Sequence, residues 1–200
     1  MKVNKGDFGY IQAQKKKRTL LTVVLFAIPL LIFFTGLYAT KTRLNLFTFV
    51  AIMGCLPASK CAVGMIMMLM QKPMAKEDYL QIEKRRGELV MAYELTVTAY
   101  EKNTQIDSIA VCGNTVVGYS SSPKADLPFV EKHIKDILKG NGYRVNVKIF
   151  KELKPYLERL DSLNEHREQL QEGISFTPDE NYPDLSREEL IKHTILAIAL

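Results

Sequence analysis

Residues 19–38 read TLLTVVLFAIPLLIFFTGLY, a run of 20 residues without a charge. As a helix the run extends about 30 Å, the thickness of one hydrocarbon core. Pro29 sits in its middle, a position that a spanning helix tolerates better than a soluble one. A signal peptide is the competing reading, because Lys15-Lys16-Lys17-Arg18 stands directly in front. The run is longer than a signal-peptide core of about 7–15 residues, and Leu37–Ala39 makes a poor cleavage pattern.

Residues 44–70 read LNLFTFVAIMGCLPASKCAVGMIMMLM, and Lys60 is the only charge among them. Those 27 residues would extend about 40 Å, so the segment must tilt, kink at Pro57 or lie partly in the interface. Only Ala39 to Arg43 separate the two stretches. Two such stretches so close together predict a transmembrane helical hairpin rather than the buried hairpin of a soluble protein. Gly54-x-x-x-Ala58 permits close helix approach.

Lys60 is costly where it stands: a lysine near a helix centre opposes insertion by about 2.5–3.5 kcal/mol. The first span offers no carboxylate to pair with this intramembrane charge. Two readings follow. Lys60 meets a partner subunit or a lipid phosphate, or it lies toward the inner leaflet and snorkels to the headgroups.

The charge distribution supports the membrane reading. The chain has 200 residues, 27 Lys+Arg and 22 Asp+Glu, a net charge of +5. Residues 1–70 hold 9 of the cations and 1 acid; residues 71–200 carry a net −3. The excess of positive charge therefore flanks apolar segments, and the acidic remainder argues against a nucleic-acid partner. The 47% hydrophobic content and 3 cysteines exclude a disordered chain and a disulfide scaffold.

Cations near the span ends set the orientation. Lys2, Lys5, Lys15, Lys16, Lys17 and Arg18 precede the first span, and Lys41 and Arg43 occupy the loop. Lys72, Lys76, Lys84, Arg85 and Arg86 follow the second. Both termini are expected in the cytoplasm, with the loop outside. Free cysteines at 55, 61 and 112 fit a reducing interior. The expected membrane-surface contacts are Lys15, Lys16, Lys17 and Arg18 on one side and Lys84, Arg85 and Arg86 on the other.

After Pro73 the pattern becomes that of a small domain. Tyr79, Ile82, Leu89 and Val90 suggest an amphipathic helix over 76–92. Leu95–Tyr100 alternates with period two, Ile106–Cys112 is a β-rich run, Gly113-Asn114 is a turn pair and Thr115–Ser120 resumes strand character, which predicts an antiparallel meander of three short strands. Leu127, Val130, Ile134, Ile137 and Leu138 form a helical stripe closed by Gly140-Asn141-Gly142. Tyr143–Phe150 reads as a strand that can return parallel to the meander through a right-handed crossover. Leu153, Leu157, Leu160 and Leu163 mark another helix, and Ser186-x-x-Glu189 is a capping box for a last helix ending in ILAIAL.

The expected fold class is therefore α+β: a transmembrane helical hairpin followed by a small α-β-β-β-α-β-α domain with a four-stranded sheet. The expected segments are a basic cytoplasmic stretch over 1–18, the hairpin over 19–70, the cytoplasmic domain over 74–172, and a loop with a carboxy-terminal helix over 173–200.

Chemistry-bearing patterns are sparse. His133, His166 and His193 fall on three predicted helices without ligand spacing, and the sequence calls for neither a metal nor a cofactor. No Gly-rich phosphate loop and no Gly-x-Ser-x-Gly elbow is present. The order of helix, three strands, helix and strand, with Gln105-Ile106-Asp107 in the second strand, resembles restriction-endonuclease-like domains. The resemblance is to the nuclease-related type attached to membrane segments in bacteria, and it covers roughly residues 76–150. It implies Asp107 as a metal ligand, Glu83 as the acid of the first helix, and a bacterial cytoplasmic membrane. The family's Glu-x-Lys positions fall on Ser120 and Ser122, and Lys124 is out of register. Two serines supply neither the second carboxylate nor the lysine that metal-assisted hydrolysis needs.

The reading that follows is a two-span membrane protein presenting a non-catalytic domain for protein interaction or regulation. Its partners are the bilayer and a protein in the membrane or at its cytoplasmic face. Two alternatives stand beside it: a membrane-tethered, metal-dependent nuclease using Asp107 and Glu83, and a small accessory subunit of a transport or secretion complex.

Overall fold

The computed structural model describes residues 3–99, 102–123, 125–174, 176 and 182–199. The chain forms two compact units. One runs from Ile11 to Lys72; the other joins the residues up to Tyr10 with those from Pro73 onward.

The first unit is a pair of long helices, α1 (Tyr10–Thr40) and α2 (Leu46–Met70). Both are long and apolar enough to cross a membrane, and only 17% and 11% of their apolar windows are buried. A core helix of a soluble protein would be mostly buried; these carry leucines, valines and phenylalanines on their surfaces. The helix α1 starts well ahead of Thr19, so Lys15 to Arg18 are helical. Lysine and arginine are good helix formers, and nothing in 10–18 opposes them. The helix α2 continues unbroken through Pro57.

Small residues set how the two helices meet. A Cβ built on Gly36 would lie 2.3 Å from the Phe47 Cβ, so only glycine fits there. Gly54 faces Pro29, and Ala58 is fully buried. Asn45 caps α2 by accepting from the Thr48 amide at 2.9 Å, and its own amide holds the Thr42 carbonyl at 2.7 Å.

The second unit is a four-stranded mixed sheet in the order β1-β2-β3-β4. The strands are β1 (Val90–Ala99), β2 (Lys102–Cys112), β3 (Thr115–Tyr119) and β4 (Asn146–Phe150). The first three are antiparallel, and β4 runs parallel to β3. Around them lie α3 (Lys76–Glu83), α4 (Leu127–Gly140), α5 (Leu153–Glu165), α6 (Arg167–Gln171) and α7 (Arg187–Ala197). The α+β class and the element order are those expected from the pattern.

Both faces of the sheet are covered. Leu95, Val97, Ile106, Ile109 and Val111 pack with Val130, Ile134 and Leu138 of α4 and Ile191 and Ile195 of α7. Met91, Tyr93, Ala110, Val117 and Tyr119 pack with Ile82 of α3 and Tyr156, Leu157, Leu160 and Leu163 of α5. Burial on both faces explains one departure from expectation. The helix expected over 76–92 ends at Glu83, and Val90 already pairs with Val111. Gly87, at φ +53, keeps the helix from resuming, and a strand buried on both sides shows no alternation to announce it.

The outer edge of β1 is closed by both ends of the chain. The Tyr93 amide donates to the Gly6 carbonyl at 2.8 Å, and the Phe8 ring stacks on Tyr79 at 4.0 Å. The Thr98 amide donates to the Ile198 carbonyl at 3.3 Å, and Val97 bridges Ala199. Lys5 Nζ donates to the Ala199 carbonyl at 2.6 Å. The apolar end expected to finish the last helix thus leaves it at Ala197 and adds to the sheet; Leu200 lies outside the described residues, as do Lys2, Tyr100 and Lys124. The capping box forms as expected: the Ser186 amide donates to Glu189 Oε2 at 2.8 Å, and the Glu189 amide donates to Ser186 Oγ at 3.3 Å.

Candidate functional site

Asp107 lies in β2 and is 2% exposed. Its Oδ2 accepts from the Ser121 amide at 2.6 Å and its Oδ1 from Gln105 Nε2 at 3.2 Å. Ser120, where the endonuclease-like pattern has its glutamate, donates its hydroxyl to the Gln105 carbonyl at 2.6 Å. The carboxylate and the serine therefore fasten the end of β3 to β2.

Glu83 is engaged elsewhere. It is the last residue of α3, and its carboxylate accepts from the Tyr93 hydroxyl at 2.6 Å and from Arg86 at 3.2 Å. Burial, followed by the hydrogen bond to Glu83, raises the Tyr93 phenol far above its usual range. Tyr119 donates to Asp78 at 3.3 Å. Its phenol is pushed up to about 12 by burial first and then by the Asp78 and Asp107 charges. Glu83 and Asp107 share none of these partners; each has its own protein donors.

One buried acid escaped the sequence reading. Glu94 is 3% exposed, adopts φ +53 and accepts from the Met74 amide at 3.1 Å. It occupies the unpaired rung opposite Asp107, between Tyr93↔Ser108 and Leu95↔Ile106. The left-handed backbone reverses the alternation of β1, so Ala92, Leu95 and Val97 all join one core. Thr96 sits opposite Gln105, and its buried hydroxyl has no hydrogen-bond partner among the described residues. The only signal in the sequence was a lone acid inside the apolar run LVMAYELTV. Among the described residues, no group of three or more His, Cys, Asp or Glu is placed to hold a metal ion.

The histidines have local roles. His166 Nδ1 lies 2.9 Å from the Ser162 carbonyl at the end of α5, and His193 packs on Tyr182. His133 packs on Phe129. Cys112 is buried, and its thiol is pushed up to about 11 by burial first and then by Glu188.

The cationic candidates divide into two sets. Arg85 pairs with Asp161 and Arg167 with Glu88 around a groove of about 420 Å³ that Lys84 also lines, and Arg86 pairs with Glu83. Arg85 and Arg86 therefore tie α3 and its exit to neighbouring acids, although both stay about half exposed and such pairs contribute only about 0–1 kcal/mol. On α1, Lys16 and Lys17 are exposed and Lys15 and Arg18 half-buried. Arg18 Nη1 donates to the Gly64 carbonyl of α2 at 3.2 Å. Lys60 is exposed on α2.

Comparison with known proteins adds no identity: no family model, curated protein or solved structure matches this chain. The functional reading rests on the residues and their geometry.

Proposed function

We propose that this is a two-span integral membrane protein that holds a non-catalytic α+β domain at the cytoplasmic face for protein interaction or regulation. The observation that carries the reading is the path of the chain. Residues 4–8 are built into the same compact unit as residues 73–199, and the two apolar helices lie between them in sequence. A unit assembled from both flanks of the hairpin keeps both flanks on one side of a bilayer, as an even number of spans requires. The cation excess on those flanks supports the cytoplasm as that side.

The non-catalytic assignment is supported by what the candidate acids do. Asp107 is enclosed by Ser121 and Gln105, Glu83 holds Tyr93 and Arg86, and Ser120 binds a backbone carbonyl. A hydrolytic centre needs converging groups that remain free for a cation or water.

The test has two arms. In alkaline carbonate the full chain stays with the membrane pellet; release into the supernatant would contradict the anchor. The chain purified in mild detergent leaves DNA and RNA intact with Mg²⁺ or Mn²⁺ at low salt. Cleavage abolished by Asp107→Asn would restore the nuclease alternative.

A further inference from the structure

The basic end of the helical hairpin carries an arrangement that anchoring alone does not use. The Arg18 guanidinium is fixed across the helix pair by its hydrogen bond to the Gly64 carbonyl. A Cβ at Gly64 would sit 3.4 Å from Arg18 Nη1, in ordinary van der Waals contact with it. Lys60 precedes Gly64 by four residues, so it shares that face of α2 one turn away, about 6 Å along the axis. The Arg18 guanidinium and the exposed Lys60 thus fall on successive turns along one face of α2. Between Asp7 and Glu77 the sequence has no acid. Neither the hairpin nor a second copy of it can supply a carboxylate to them.

We propose that Arg18 and Lys60 together bind the phosphate of an anionic phospholipid in the inner leaflet. The inference rests on the membrane-spanning reading and adds a ligand to it.

Depth selects a lipid over an acid on a partner helix. The contacts of Gly36 with Phe47, Gly54 with Pro29 and Arg18 with Gly64 set the register of the pair. They put the middle of the 19–38 span beside Pro29 and Gly54. Lys60 lies six residues from Gly54, about 9 Å from that mid-plane. In a core about 30 Å thick it is then about 6 Å inside the hydrocarbon edge. That is close to the length of a lysine side chain, and the Arg18 guanidinium marks the level it reaches. A phosphodiester has oxygens enough to accept from both cations. Lys16 and Lys17, exposed on α1 nearby in sequence, favour a headgroup of net negative charge over a zwitterionic one.

The experiment is native mass spectrometry of the full chain in mild detergent with phosphatidylglycerol, phosphatidylcholine or inorganic phosphate added. Wild type is expected to retain phosphatidylglycerol over phosphatidylcholine and to retain no inorganic phosphate. Arg18→Gln and Lys60→Gln should each cut that preference about fivefold, the equivalent of about 1 kcal/mol per cation at a membrane surface. Lys41→Gln, a change to an exposed cation in the loop at the other end of the hairpin, should cut it less than about twofold. An unchanged preference in both the Arg18 and the Lys60 variant overturns the site, and so does an equal loss in Lys41→Gln, which would mean that net charge alone sets the preference. Retention of free phosphate without lipid preference overturns the lipid assignment. Carbonate-washed membranes separate the two failures. Variants that stay in the pellet yet keep the preference sink the site alone, whereas a wild-type chain that washes out sinks the membrane reading with it.

Discussion

Replacing Asp107 with alanine distinguishes a structural carboxylate from a catalytic one. The side chain is 2% exposed, and it satisfies the Ser121 amide at 2.6 Å and the Gln105 side-chain amide at 3.2 Å. Alanine removes both acceptors and strands donors next to a protein interior. A hydrogen bond to a charged group contributes about 1.5–3 kcal/mol, and a donor left unsatisfied costs about 1–3 kcal/mol. The longer contact counts least, so the expected loss is about 3 kcal/mol. For a domain of this size that lowers Tm by about 10 °C. Asp107→Asn should cost about half as much, because one oxygen still meets Ser121 and the Gln105 amide can turn to accept from the new NH₂. The assay is a far-UV circular dichroism melt of the full chain in detergent, paired with tyrosine fluorescence because the chain has no Trp. A catalytic acid held against its preference would give the opposite sign, since its removal relieves strain. An alanine variant that melts at or above the wild-type temperature refutes the reasoning.

Deleting residues 2–8 should destabilise the domain by about 3 kcal/mol, from two hydrogen bonds and one aromatic stack, measured by the same melt; an unchanged melt would show that these residues are not part of it. Alkaline titration followed by phenolate absorbance should show Tyr93, Tyr119 and Tyr156 un-ionised where exposed tyrosines have already titrated. For Tyr119 the folded value is raised from 10.0 to about 12, so its contribution is fully present below pH 10 and is lost as pH climbs through 12. In a Cys55→Ser, Cys61→Ser background, Cys112 should react with a thiol reagent at neutral pH only after unfolding, because it is buried and its thiol is pushed up to about 11. Prompt labelling of the folded chain would contradict that burial.

The sequence was most legible where one kind of pattern stood alone. The uncharged run 19–38 needed only counting, and α4 and α5 showed their buried stripes at Leu127, Val130, Ile134 and Leu138 and at Leu157, Leu160 and Leu163. It was least legible where tertiary context overrides local pattern. The first half of β1 is buried on both faces and so lacks alternation, and Glu94 bends it through a conformation that no periodicity announces. The edge contributions of Gly6 and Ala199 are single long-range contacts with no local signature. Asp107 was legible as a candidate, but its enclosure by Ser121 and Gln105 depends on how β3 ends.

The central claim, a hairpin that crosses the membrane with both flanks inside, is tested most directly by cysteine labelling in intact cells. Single cysteines are placed at Lys41 in the loop, Asn4 ahead of α1 and Lys151 after β4, in a chain with its native cysteines replaced. A membrane-impermeant maleimide should label position 41 in intact cells and positions 4 and 151 only after permeabilisation. Labelling of 4 or 151 from outside, or of all three positions only after permeabilisation, would contradict the account.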